Sequence, residues 1–141
     1  MAKVTAYIPE PKQEYDVENQ RQILQSIETI KNQGFKQADT AKATVLTCPT
    51  SGAIIIKSVY CANNDASSAI VVNMNLVDSS DSNTEYEFFR DDVAAKSQVN
   101  AAPQGLNLEA GDAITVQAAT GSNKIQGAIS YALIDRSQQN G

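Results

Sequence analysis

Apolar and polar side chains alternate most regularly in one stretch of the sequence, Ala69-Ile70-Val71-Val72-Asn73-Met74-Asn75-Leu76-Val77. Successive side chains of a β-strand point to opposite faces of its sheet. The side chains that share one face here are Ile70, Val72, Met74 and Leu76. This pattern predicts a strand that turns that apolar face toward a core.

Similar apolar stretches lie on both sides of this strand, separated by runs of Ser, Asn, Asp and Gly that favour turns. We predict eight strands, at residues 43–48, 53–61, 69–77, 84–89, 93–99, 106–108, 113–119 and 124–134. The first two are expected to form a hairpin around residues 49–52, and Tyr86 and Phe88 are expected to face inward. Eight short strands spaced about ten residues apart predict a mainly β fold, an eight-stranded jelly-roll-like β-sandwich.

Residues 1–34 lack this alternation and predict an extended arm followed by one short α-helix. Pro9 and Pro11 favour extended backbone, so residues 1–15 are interpreted as the arm. Asp16 is a suitable N-cap and Gly34 a suitable C′ residue for a helix over residues 16–34. The sandwich domain then covers residues 40–135, and residues 136–141 form a polar tail.

The predicted helix carries a narrow apolar stripe with helical spacing, and a helix this short needs a partner surface in water. Two interpretations remain open. The stripe packs on the chain's own sheet, or it packs against copies of itself as a short heptad seam. The candidate residues for self-association are Gln20, Ile23, Leu24, Ile27 and Ile30.

Composition and charge limit the classes of partner. The 141-residue chain has a net charge of −5, with eleven basic residues scattered among sixteen acidic ones. Nucleic-acid binding requires clustered Lys and Arg, so neither nucleic acid nor an anionic membrane is expected as a partner. No apolar run reaches the roughly 18 residues that span a bilayer, and no signal peptide is recognised. Synthesis in a bacterial cytoplasm is therefore expected.

Catalytic chemistry has little support in this sequence, and we predict no catalytic, metal-binding or cofactor-binding residues. The chain has no histidine, which removes the commonest general base and metal ligand. Cys48 and Cys61 are expected to be free thiols. Residues 78–83 fail the calcium-loop pattern, because Asn83 and Phe89 stand where Gly and Glu are required.

Four carboxylates, the catalytic residue type of glycosidases, lie on or beside one predicted strand and are interpreted as its solvated face. They are Glu85, Glu87, Asp91 and Asp92. A glycosidase requires two carboxylates facing each other across a cleft, which a single strand does not provide. The sequence therefore favours a protein that works by docking, without catalysis.

Several segments resemble virion structural proteins of tailed bacteriophages, namely capsid decoration (cement) proteins and fibre-type β-sandwich proteins. The arm and helix resemble N-terminal segments of such proteins. The sandwich resemblance is carried by residues 53–61, by residues 71–80 and by Leu106-Asn107-Leu108-Glu109-Ala110-Gly111-Asp112. The resemblance implies an assembly role, commonly as a trimer, in the virion.

The function that we favour is a protein that decorates and cements the capsid as a homotrimer, with the major capsid protein as its partner. The arm residues expected to contact that partner are Tyr7, Ile8, Pro9, Pro11 and Tyr15. One alternative is a tail fibre or tail-adaptor protein anchored by its arm to a tail protein. An alternative of another class is a carbohydrate-binding sandwich, although such sites favour aromatic platforms and the chain has no Trp.

Overall fold

The computed structural model describes residues 28–135, which form nine β-strands and no α-helix. A 3-10 turn, Ser79–Asp81, lies between the fourth and fifth strands. The strands are β1 (Glu28–Lys36), β2 (Ala43–Thr47), β3 (Gly52–Asn63), β4 (Ile70–Asp78), β5 (Thr84–Val93), β6 (Ser97–Asn100), β7 (Leu106–Leu108), β8 (Ala113–Ala118) and β9 (Ile125–Asp135).

The strands form two antiparallel sheets. The first sheet has the order β1-β9-β3-β6, with β7 also paired to β3, and the second has the order β2-β8-β4-β5. Strands β6 and β7 pair with different parts of β3 and act as one interrupted strand. When β6 and β7 are counted as one strand, the eight strands pair first with last (β1 with β9), second with seventh (β2 with β8), third with sixth (β3 with β6 and β7) and fourth with fifth (β4 with β5). This nested pairing is that of a jelly roll, so the predicted fold class is confirmed.

The core lies between the inner faces of the two sheets. Strand β3 contributes Ile54, Ile56 and Val59, all fully buried, and a register shift after Ile56 keeps this alternation facing inward. In β4, Ile70, Val72 and Met74 are buried, and Leu76 packs at the edge of the core. The face predicted for this strand is therefore confirmed. Burial of each such aliphatic side chain contributes about 1.5–3 kcal/mol to folding.

The helix predicted over residues 16–34 is wrong in its C-terminal part, because Glu28–Lys36 is strand β1. All nine residues of β1 pair with β9, from Glu28 opposite Ile134 to Lys36 opposite Gln126. This pairing with a distant part of the chain outweighs a weak local preference for helix. The sandwich therefore includes Glu28–Lys36, which lies before the predicted boundary at residue 40. Residues 16–27 and the predicted arm and tail lie outside the described residues.

The hairpin predicted around residues 49–52 is also wrong. Strand β2 pairs with β8 in one sheet, whereas β3 pairs with β9 in the other, so residues 49–52 cross between sheets. The turn residues were recognised correctly, but turn chemistry alone does not determine which strands pair. Cys48 and Cys61 are both free and buried, as predicted.

Two details of the fifth strand also differ from expectation. Strand β5 extends to Val93, and a turn with Lys96 in the left-handed region separates it from β6, so no continuous strand covers residues 93–99. Tyr86, expected to face inward, is 49% exposed because it lies at the open edge of the sandwich beyond the core. Its hydroxyl donates a hydrogen bond to Asp81.

Candidate functional site

Of the residues predicted to make contacts, only Ile30 lies in the described part of the chain. The arm candidates Tyr7, Ile8, Pro9, Pro11 and Tyr15 and the stripe candidates Gln20, Ile23, Leu24 and Ile27 lie outside it. Ile30 is the third residue of β1 and is 69% exposed. It is thus available for association, although on a strand and not on the predicted helix.

Strand β1 is held to the sandwich by one buried side chain. Phe35 is the only buried residue of its nine, and the other eight are exposed. Phe35 pairs across the sheet with Gly127, and its ring occupies the space beside the Gly127 Cα. Both faces of β1 are therefore largely exposed to solvent, and the strand is joined to the sandwich along one edge, by its pairing with β9.

An apolar row crosses the outer face of the β1-β9-β3 sheet. Ile30 pairs with Ala132, and Ala132 pairs on its other side with Ile55, which is 42% exposed. Tyr60, on the same face of β3, is 48% exposed. Sequence reasoning missed this row, but the run Ile54-Ile55-Ile56 contained a signal. In a strand, the middle residue of three consecutive isoleucines must face away from the other two.

Strand β5 is an acidic edge on the other sheet. The four carboxylates of Glu85, Glu87, Asp91 and Asp92 are exposed, which supports their interpretation as a solvated face. Lys42 forms an ion pair with Glu85 at 2.9 Å, and Arg90 forms a bidentate pair with Glu87. The hydrogen bond from Arg90 lowers the pKa of Glu87. Within the described chain no cation pairs with Asp91 or Asp92.

Three carboxylates meet at the junction of the β4–β5 and β7–β8 loops. Carboxylate oxygens of Asp78, Glu109 and Asp112 lie within 4.8 Å of one another, a separation compatible with a metal ion. Asp112 is only 4% exposed. Its Oδ1 accepts from the backbone N–H of Ser79 at 3.0 Å, and its Oδ2 accepts from that of Glu109 at 2.9 Å. These bonds give Asp112 a structural role in tying the two loops together.

The thiols of Cys48 and Cys61 have low reactivity at neutral pH. Burial raises the pKa of the Cys61 thiol to about 11, and burial next to Asp112 also raises the pKa of Cys48. A thiol with a raised pKa is almost entirely protonated at neutral pH and is a poor nucleophile. Neither cysteine therefore has the properties of a catalytic residue.

The described surface has two open grooves. One, of about 450 Å³, is lined by Ala62, Asn63, Asn64, Lys96, Ser97 and Gln98. The other, of about 320 Å³, is lined by Thr40, Val71, Asn73, Arg90, Gln117, Ala118 and Ala119. Neither groove contains an aromatic side chain on which a sugar ring would stack.

In residues 28–135 no helix is long and apolar enough to cross a membrane.

Comparison with known proteins identifies structures of similar fold but no family. No protein-family profile and no curated protein matches the chain. Among solved structures, it is similar to a chain in the acidic stable capsid structure of Helicobacter pylori bacteriophage KHP30. The two share 18% identity with a TM-score of 0.51, over 79% of this chain and 90% of that chain. At this identity the similarity shows a common fold alone.

Two further structures show weaker similarity. A structure of Bacillus endospore appendages, described as disulfide-linked pili, is 11% identical with a TM-score of 0.45, over 77% of this chain and 87% of that chain. The Drosophila NLP-core is 14% identical with a TM-score of 0.45, over 76% of this chain and 99% of that chain.

Proposed function

We propose that this chain is a phage virion structural protein that decorates and cements the capsid shell as a homotrimer, without catalysis. The observation that carries the proposal is the jelly roll, shared along most of both chains with a phage capsid structure. The resemblance of the sequence segments to phage decoration and fibre-type proteins points the same way. The virion is the proposed location, and the major capsid protein is the proposed partner.

The surface of the sandwich supports docking better than chemistry. The exposed carboxylates of β5 lie along one strand, and both cysteines are buried. The two exposed tyrosines of residues 28–135, Tyr60 and Tyr86, lie on different sheets and do not form one aromatic platform. This separation favours a structural module over the carbohydrate-binding alternative.

Cementing requires many modest contacts and no single strong one. Contacts made by the trimeric sandwiches and by the N-terminal arm add through effective concentration when several shell subunits are engaged at once. Deletion of residues 1–11 should therefore reduce incorporation into particles sharply. It should shift the melting temperature of the purified protein by only a few degrees, because all nine described strands lie at or after Glu28.

The proposal is tested on purified particles of the phage that encodes the chain. Heads and tails are separated on a density gradient, and each fraction is quantified by mass spectrometry. We expect the chain in the head fraction, in a fixed ratio to the major capsid protein. Recovery with the tails, at a few copies per particle, would instead identify the fibre or adaptor alternative. Absence from both fractions would reject a virion role.

The trimer is tested on the isolated protein. Light scattering should give three times the chain mass of 15.1 kDa. A mass of one chain at tens of micromolar would contradict the trimer without affecting the particle experiment. The two parts of the proposal are thus tested separately.

A further inference from the structure

Two of the edge strands in the described sandwich are long and uncovered. Strand β1 has nine residues and β5 has ten, whereas the other edge strands, β2, β6 and β7, have five or fewer. Among the described residues, each long edge is paired on one side only, β1 with β9 and β5 with β4. A long edge presents unpaired backbone N–H and C=O groups, and proteins generally cover such edges.

The two long edges lie on opposite sides of the sandwich. Strand β1 is adjacent to β2 across the sheets, and β5 is adjacent to β6 at the other end of both sheet orders. A contact between β1 of one copy and β5 of another is therefore head-to-tail. Contacts of this type use two different surfaces of each subunit and generate rings when the rotation between copies closes.

Charge favours this pairing over the two alternatives. One acidic and two basic residues give β1 a net charge of +1, and four acidic residues with one basic give β5 a net charge of −3. A β5–β5 contact would oppose two negative edges, and a β1–β1 contact two positive ones. Only the β1–β5 contact joins opposite charges, and charge complementarity of this kind selects one orientation over others.

The charges that would form the contact are not used within the described chain. Lys42 and Arg90 already pair with Glu85 and Glu87, which leaves the carboxylates of Asp91 and Asp92. Lys31 and Lys36 of β1 likewise have no ion pair among the described residues. Apolar area is available on both edges as well. Ile30 is exposed on β1, while Tyr86 is exposed and Phe88 and Phe89 are half-buried on β5.

We propose that β1 of one copy docks against β5 of the next copy, and that copies close into a ring through this contact. The inference deepens the proposed function, because it rests on the self-association proposed there and names its surface. The partner is a second copy of this chain, and the contact sets the positively charged edge β1, which carries Lys31 and Lys36, against the negatively charged edge β5, which carries Asp91 and Asp92.

Charge reversal on the full-length chain tests the contact. The variant K31E/K36E changes β1 from +1 to a net charge of −3, and D91K/D92K changes β5 from −3 to +1. Each variant alone should weaken association on the order of a hundredfold, since like charges then face each other. The variant with all four changes restores opposite signs and should regain the oligomer. Mass is measured by light scattering, and circular dichroism checks that each variant folds.

The matched control is K57E/K124E, which makes the same change in net charge at lysines outside both edges. Its mass should equal that of the unmodified protein. The inference is overturned by a monomeric unmodified protein, by reversed pairs that leave the mass unchanged, or by a fourfold variant that stays monomeric. Loss of association in the control to the same extent would overturn it too, because net charge would then be the cause.

Incorporation of the same variants into particles separates this inference from the proposed function. A monomeric K31E/K36E variant that is still incorporated leaves the virion role intact and shows that the ring is dispensable for it. If the edges behave as expected but the chain is absent from particles, the ring stands and the virion role fails. If only deletion of residues 1–27 abolishes association, the N-terminal segment is the contact and the edge pairing is wrong.

Discussion

Asp112 shows how one buried charge organises two loops of the sandwich. Its carboxylate accepts hydrogen bonds from the backbone of Ser79 after β4 and of Glu109 after β7. It also accepts from the Ser79 hydroxyl at 3.1 Å. A buried carboxylate is tolerated only where hydrogen bonds replace its hydration, and here both oxygens are engaged. The residue therefore stabilises the connection between the sheets.

Replacement of Asp112 by asparagine should destabilise the protein by about 1–3 kcal/mol, because an amide NH₂ cannot accept the bond that one carboxylate oxygen accepts. Urea unfolding measures the change. The control is Glu109→Gln in the same cluster, whose exposed side chain accepts no such bond. It should alter stability by less than about 0.5 kcal/mol. Equal effects of the two substitutions would contradict the structural role of Asp112.

The same hydrogen bonds lead us to expect that the acidic cluster does not bind calcium. A calcium site takes about six to eight oxygen ligands, and this cluster offers three carboxylates. The Asp112 oxygens accept backbone N–H groups, and Asp78 Oδ1 accepts from both the N–H and the hydroxyl of Ser80. The melting temperature in EDTA should therefore lie within about one degree of that in calcium. A fall of many degrees in EDTA would show that the cluster is a metal site.

At the scale of single elements, strand β1 depends on a close packing of Phe35 on Gly127. A Cβ atom added to Gly127 would lie well inside contact distance of the Tyr60 carbonyl oxygen and the Phe35 ring. Gly34, on the same strand pair, has its nearest neighbour at 3.8 Å, where a methyl group fits. The two glycines thus form a matched pair for mutation.

Gly127→Ala should destabilise the protein by about 2–4 kcal/mol, since the strands on both sides must move to admit the methyl group. Gly34→Ala should change stability by less than about 0.5 kcal/mol. Denaturant unfolding of both variants measures the difference. If Gly127→Ala is as stable as Gly34→Ala, β1 is not held by this packing.

Strand β1 also explains where sequence reasoning fails. Eight of its nine residues are exposed, so it has no alternation of apolar and polar side chains to recognise. The helical spacing of Ile23, Ile27 and Ile30 instead predicts the apolar stripe of a helix, although Ile30 lies in β1. What makes the segment a strand is β9, whose Ala132 pairs with Ile30 from about one hundred residues further along the chain. Strand β4 was recognised because burial on one face marks its sequence directly.

The acidic side chains of β5 are visible in the sequence, whereas the position of this strand at an edge is not. The prediction of a solvated face for Glu85, Glu87, Asp91 and Asp92 rests on their lying on or beside one strand. That Lys31 and Lys36 lie on a second uncovered edge follows only from the position of β1 in the sheet. Edge positions depend on the order of all strands, which local patterns do not specify.

At the scale of the whole molecule, titration should affect stability only outside the pH range from about 5 to 8, because the chain has no histidine. Hydrogen bonds from backbone N–H groups lower the pKa of Asp65, and Arg90 lowers that of Glu87. Groups with a lowered pKa contribute stability that is present above their unfolded values, 3.8 and 4.5, and lost as the pH falls below them.

Cys61 affects stability at alkaline pH. Its pKa is raised from 9.0 to about 11, so the unfolded chain loses this proton first and stability falls as the pH rises through that interval. Urea midpoints and shell attachment should therefore be flat from about pH 5 to 8, and the midpoints should fall below about pH 4 and above about pH 9. A Cys61→Ala variant should show a weaker alkaline decline than the unmodified chain, whereas a midpoint that changes between about pH 6 and 7 would require a titrating group that this fold does not supply.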